Sequence, residues 1–141
     1  MGFLKKLFGG GKNIEDVPPP PPPEPEPEPI EIQHILANDL KVRLDNGDAV
    51  LVVDMRQTWE YESGHIPGAK HIFIQEIPAR LAELPKDTDI VFQCWHGNTS
   101  QDATAFLIQN GWDANRVSSL VGGISGWVQT FGMEGLERAP S

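Results

Sequence analysis

The sequence predicts an α/β domain built on a central, mostly parallel five-stranded sheet flanked by helices. Three observations carry this expectation. Short apolar runs alternate with segments of helical period from Ile30 onward. Two of those runs, Ala49–Asp54 and Asp89–Cys94, are largely continuous rather than alternating, as in strands buried on both faces. Glycine, proline and asparagine punctuate the junctions. Strands that alternate with helices build parallel sheets through crossover connections.

Each element follows in order. Ile30-Glu31-Ile32 is a short strand candidate. His34 to Leu44 reads as a helix with Ile35, Leu36, Leu40 and Leu44 inward, ended by Asn46-Gly47. Ala49–Asp54 is the second strand, and Gln57 to Ser63 a helical turn. His65-Ile66-Pro67-Gly68-Ala69 is a loop, because its proline and the glycines around it break both periods. Lys70–Phe73 is a third strand, and Ile77 to Leu84 a helix stopped by Pro85. Asp89–Cys94 is the fourth strand, Ser100–Asn110 a helix and Val117–Val121 the fifth strand. Gly122-Gly123 then leads into a last helix from Ile124 to Thr130, with Trp127 and Phe131 as core.

Charge divides the chain further. Its net charge of −9 is uneven: residues 1–12 carry +3, residues 13–29 carry −5 and residues 30–141 carry −7. The acidic balance argues against nucleic-acid binding, which needs a basic patch. Four regions are expected: an amphipathic peptide (1–12), a Pro/Glu-rich extended linker (13–29), the α/β domain (30–133) and a C-terminal tail (134–141). Residues 18–29, PPPPPPEPEPEP, lack the N–H donors that helix or sheet requires. They favour a polyproline II rod that reaches about 37 Å at about 3.1 Å per residue. In the first twelve residues Phe3, Leu4, Leu7 and Phe8 share a helical face, with Lys5 and Lys6 off it. That pattern suits an anionic membrane surface or a protein groove, and equally a plain tail. Gly2 is present, but Lys6 stands where a myristoylation signal has Ser or Thr.

A single cysteine, Cys94, cannot form an internal disulfide, so a reducing, cytoplasmic setting is expected. No run is long enough to span a bilayer, and the N-terminus lacks the apolar core of a signal peptide. A peripheral position at the membrane surface through residues 1–12 stays open, and nothing demands more than a monomer.

Cys94 itself lies where an apolar strand turns, through a short glycine-bearing loop, into a helix. Such a turn aims several main-chain N–H groups, and a helix N-terminus, at one spot. Both favour an anionic sulfur and lower a thiol pKa. The alternative is a lone cysteine acting as a small buried hydrophobe. Function in open α/β sheets collects beyond the carboxyl ends of the strands, where Cys94 sits.

Four motifs, in order, resemble the single-domain rhodaneses, sulfurtransferases that carry sulfur as a cysteine persulfide. Asp54-Met55-Arg56 is similar to that family's Asp-x-Arg, and Gly64-His65-Ile66-Pro67-Gly68-Ala69 to its Gly-His-Ile-Pro-Gly-Ala signature. Cys94-Trp95-His96-Gly97-Asn98-Thr99-Ser100 is similar to the active-site loop, particularly that of small bacterial thiosulfate sulfurtransferases. Gly122-Gly123-Ile124-Ser125-Gly126-Trp127 is similar to the Gly-Gly-x-x-x-Trp ending. The resemblance spans about residues 30–133 and implies a rhodanese-like domain.

It further implies that Cys94 takes the outer sulfur of a small anionic donor such as thiosulfate and passes it to a thiol or to cyanide. The N–H groups of Trp95 through Ser100 would then converge on the persulfide, as donors do in an oxyanion hole. No metal or organic cofactor is called for. Larger rhodaneses often place arginines at the second and sixth loop positions, where this chain has Trp95 and Thr99. A loop without its own cation, in a domain at −7, implies a high Michaelis constant for thiosulfate and room for a persulfide donor. Trp95 would offer a flat apolar wall at the pocket mouth.

The neighbouring side chains have plainer alternatives. His96 can pair with the thiol, although tight loops usually turn such a residue outward. Ser100 can bond the sulfur, cap the following helix, or both. Asp54 and Arg56 are expected as a supporting ion pair, and His65 as a lock on the turn before Pro67. His34, His65, His71 and His96 have no metal-ligand spacing. A phosphatase of the related fold needs Cys-x5-Arg, and here that position is Ser100. A non-catalytic binding module, or a carrier that delivers persulfide sulfur to a tethered partner, completes the alternatives.

Overall fold

The computed structural model describes residues 17–25 and 30–138. The amphipathic peptide 1–12 lies outside the described residues. Residues 18–25 are exposed and carry neither helix nor strand, as a proline-rich segment without N–H donors requires.

Five strands, β1 (Gln33–Ile35), β2 (Val50–Asp54), β3 (Lys70–His71), β4 (Asp89–Gln93) and β5 (Val117–Leu120), form one sheet in the order β1-β5-β4-β2-β3. Every pair is parallel, with Asp54 opposite Gln93 and Phe92 opposite Ser119. Helices α1 (Ala37–Asp45), α2 (Thr58–Ser63), α3 (Thr99–Gln109) and α4 (Gly123–Phe131) flank it.

Successive residues of the central strands point to opposite faces. Val53 and Phe92 join Ile72, Ile77, Ala103 and Leu107 on one side. Val52 and Val91 join Leu40, Ile66, Ile124 and Trp127 on the other. Two apolar layers therefore sandwich β2 and β4, which explains why those strands read as unbroken apolar runs.

The differences from the sequence expectation are local. The first strand is Gln33–Ile35, not Ile30–Ile32, and its helix begins at Ala37 after an extended Leu36. β1 is an edge strand bonded only to β5, so neither face of it needs an apolar alternation. Leu36, expected inward, is exposed, while Leu40 is fully buried. The third strand stops at His71, and Ile74–Glu83 is 3-10 helix broken at Arg80. Pro78, inside that segment, supplies no N–H to an α-helical ladder. Trp127 is core, whereas Phe131 is only partly buried, edge-on to it at 4.7 Å.

The segment from 134, expected to leave as a tail, returns to the domain through Glu137. The His65 N–H donates to Glu137 O at 2.8 Å, and the Glu137 N–H to His65 O at 2.7 Å. Trp127 Nε1 donates to Gly135 O at 3.0 Å. The two bonds between His65 and Glu137 join residues about seventy positions apart, so no local pattern announces them.

Candidate active site

The carboxyl ends of β2, β4 and β5 meet at one edge of the sheet, and there the loop Cys94–Asn98 joins β4 to α3. Its shape is fixed from behind by α4. The Ile124 N–H donates to Cys94 O at 2.8 Å, and the Ser125 N–H to Trp95 O at 3.0 Å. The free amides of that helix terminus thus anchor the first two loop carbonyls. Glycine at 123 is what lets α4 come this close. A Cβ there would stand 2.3 Å from Cys94 O, on a backbone with φ +57°. Gly97 has φ +90°, and a Cβ on it would press to 3.0 Å against Gly122 N and Leu120 O.

With its carbonyls held away, the loop turns donors toward the sulfur. The Gly97 N–H donates to Cys94 Sγ at 3.1 Å, and Ser100 Oγ lies 3.5 Å from it. Burial pushes the Cys94 thiol up, yet the Ser100 and Thr99 hydroxyls and the Ser100 and Gly97 amides outweigh it, leaving the pKa below the usual thiol value. Of the six amides from Trp95 through Ser100 expected around the sulfur, Gly97 is the one hydrogen-bonded to it among the described residues. Hydroxyls supply the remainder. The Ser100 hydroxyl does not cap α3, whose first turn has no side-chain cap. It bonds instead to Ser119 Oγ at 2.7 Å, so a buried hydroxyl chain runs from β5 to the thiol. Neither helix period nor strand alternation flags Ser119, which sequence reasoning missed.

Asp54 and Arg56 form the expected ion pair, both buried. Arg56 donates through Nε at 3.0 Å and through a terminal nitrogen at 2.7 Å to the two Asp54 oxygens. The same terminal nitrogen donates to Gly64 O at 2.7 Å. The guanidinium also lies 5.1 Å from the Trp95 ring centroid. Trp95 is half-exposed, and its Nε1 donates to the Glu60 carboxylate, a partner that sequence reasoning also missed. Glu60 is buried, and with Gln57 it forms the capping box of α2. The pattern Gln-x-x-Glu signals that box, but not its reach to Trp95.

His65 is buried and locks its turn. Its Nδ1 bonds Tyr61 O at 2.8 Å, and its ring stacks on Tyr61 at 3.9 Å. His96 is exposed beside Trp95, and no hydrogen bond joins it to Cys94 among the described residues. It still lines, with Met55, Arg56, Asn98 and Thr99, a cleft of about 250 Å³ that opens onto Cys94. Gln93, the last residue of β4, donates from Nε2 to Cys94 O at 3.0 Å, while its buried Oε1 has no partner among the described residues. The arrangement is chemically a cysteine whose pKa is lowered, on an open cleft, suited to covalent nucleophilic catalysis.

Comparison with known proteins agrees with this geometry. The sequence profile of the Rhodanese-like domain matches residues 36–130. The chain is 39% identical over 98 residues to a protein from Allochromatium vinosum described as a sulfurtransferase, covering 70% of this chain and 90% of that one. A crystal structure of a rhodanese-like domain protein from Staphylococcus aureus superposes with a TM-score of 0.68 at 31% identity, covering 77% of this chain and all of that one. A rhodanese-related protein from Thermoplasma volcanium superposes with a TM-score of 0.63 at 30% identity, covering 70% of this chain and 93% of that one. These likenesses support sulfur transfer as the general chemistry, and the chain belongs to the rhodanese-like domain family.

Proposed function

We propose that the protein moves a sulfane sulfur through a persulfide on Cys94. The Cys94 thiolate attacks the outer sulfur of thiosulfate or of a persulfide donor. The donor S–S bond breaks, and sulfite or a thiolate leaves with the bonding pair. A thiol or cyanide then attacks the outer sulfur, and the electron pair returns to Cys94. Trp95, His96, Gly97, Asn98, Thr99 and Ser100 form the loop that receives donor and persulfide, with Asp54, Arg56 and His65 as its supports. The observation that carries this reading is a cysteine on an open cleft whose sulfur accepts the Gly97 N–H at 3.1 Å and lies 3.5 Å from the Ser100 hydroxyl.

One observation favours a persulfide over thiosulfate as the donor. Arg56, the arginine beside the cleft, is paired with the buried Asp54 carboxylate, which offsets its charge toward a dianion. The chain then acts as a cytoplasmic monomer that accepts and delivers sulfane sulfur. Residues 1–12 hold it at an anionic membrane surface or a partner groove.

Intact mass after incubation with thiosulfate, with and without reductant, tests the chemistry. A gain of one sulfur, reversed by reductant and absent in Cys94→Ser, is expected. A gain from a low-molecular-weight persulfide alone identifies the donor class. No gain from either leaves a non-catalytic binding module. Pelleting with anionic liposomes, lost on Leu4→Ser with Phe8→Ser, tests the N-terminal peptide.

A further inference from the structure

A second cavity, of about 280 Å³, lies next to the Cys94 cleft. Trp95 and Arg56 line both, so the two share a wall. Val128 and Leu136 contribute apolar surface on its inner side, Trp59 and Met133 at its mouth. Three of the seven exposed large apolar side chains among the described residues, Trp59, Trp95 and Met133, surround this one cavity. Such clustering marks a binding surface, whereas scattered exposed apolar groups do not.

The two charged groups in the wall are each paired with protein partners. Glu60 accepts from the Gln57 N–H and from Trp95 Nε1. Arg56 is held by Asp54 and Gly64 O. The rest of the lining is largely apolar, so a charged guest would lose much of its hydration on entry. An uncharged, carbon-rich guest would lose nothing. Apolar walls with a few fixed polar groups are the usual form of a small-molecule pocket.

We propose that this cavity binds the hydrocarbon body of the sulfur acceptor, an uncharged low-molecular-weight thiol with an alkyl or aryl group. The assignment rests on the persulfide reading above. Trp95, directly after Cys94 in the chain, separates the apolar body from the reacting sulfur. The acceptor thiolate attacks the outer sulfur of the Cys94 persulfide. A new S–S bond forms on the acceptor, the bond to Cys94 breaks, and its electron pair restores the thiolate. No oxidant or reductant enters.

The test uses the full chain, loaded with sulfur and checked by intact mass. Sulfur removal is timed with straight-chain thiols from ethanethiol to hexane-1-thiol, and with cyanide as the reference. The rate is expected to rise about fourfold per methylene until the cavity is filled. Hexan-1-ol, which cannot accept sulfur, should compete with hexane-1-thiol. Trp59→Ala and Met133→Ala, both on exposed residues, should each lower the hexanethiol-to-ethanethiol rate ratio at least threefold. A chain-length series that stays flat in a protein that loads sulfur overturns the acceptor site alone. Failure to load sulfur from any donor overturns the persulfide reading and this assignment together.

Discussion

Two loops leave the same edge of the sheet from adjacent strands, and they use their polar groups in opposite ways. The loop after β2 begins at Asp54, and the loop after β4 follows Gln93, its partner in register. The first closes on itself: the Asp54 carboxylate, the Arg56 guanidinium and Gly64 O satisfy one another in a buried knot. The second is held from outside. Its carbonyls are bonded by α4 and Gln93, and its donors converge on a sulfur that opens to a cleft. Self-satisfaction produces a rigid buttress. Satisfaction by neighbours leaves an inward-facing set of donors that a substrate can complete.

Removing the ionic knot should have the largest effect. Arg56→Ala leaves Asp54 charged and buried without its partner, a loss of about 3–5 kcal/mol. Urea unfolding followed by far-UV circular dichroism reads this directly. A loss below about 1 kcal/mol would mean that the first loop is not the buttress described here.

Gly123→Ala attacks the second loop from behind. The new methyl group would overlap Cys94 O on a left-handed backbone, costing about 2–4 kcal/mol. Unlike Arg56→Ala, it should also slow alkylation of Cys94, because the displaced carbonyl carries the loop with it. Unfolding and iodoacetamide kinetics on the same sample separate the two effects.

Ser100→Ala sharpens the comparison within the loop. It deletes the hydroxyl bonded to the sulfur and leaves Ser119 Oγ buried without that bond, a cost of about 1–3 kcal/mol. In the parent chain the pH at half-maximal alkylation should fall below the ordinary thiol value of about 8.5. In Ser100→Ala it should move up. The linkage has a definite sign. A thiol whose pKa is lowered by folding binds fewer protons in the native state, so stability relative to Cys94→Ser grows as pH rises toward 8.5. That contribution disappears as pH falls through the native pKa.

The smallest effect belongs to His96→Ala. An exposed residue without a hydrogen bond to the sulfur should change stability by less than about 0.5 kcal/mol. The alkylation midpoint should stay in place. A midpoint that moves upward would restore the paired role that the geometry withholds.

The same contrast explains what the sequence could and could not disclose. β2 and β4 are legible because burial on both faces demands an unbroken apolar run, and Cys94 because strand, short loop and helix follow in order. β1 is not, because a three-residue edge strand with a single partly buried residue has no period to detect. Pro78 hides inside a segment that otherwise looks α-helical, since 3-10 turns tolerate it where an α-helix does not. Around the sulfur, Ser100 is local and visible, while Ser119 and Glu60 arrive from other elements. Their identity as partners exists only once β5 and α2 are placed. The switch of Ser100 from helix cap to sulfur donor follows from that placement as well.

The rung between His65 and Glu137 has a dynamic consequence. It is the last backbone tie among the described residues, and it holds Leu136 against Gly64. Leu136 is also part of the apolar cavity. Peripheral segments open locally at far lower free energy than core strands, so opening of this rung and guest entry at that cavity become one coupled equilibrium. A guest that occupies the cavity should therefore protect the Glu137 amide from hydrogen exchange, although it never touches that amide.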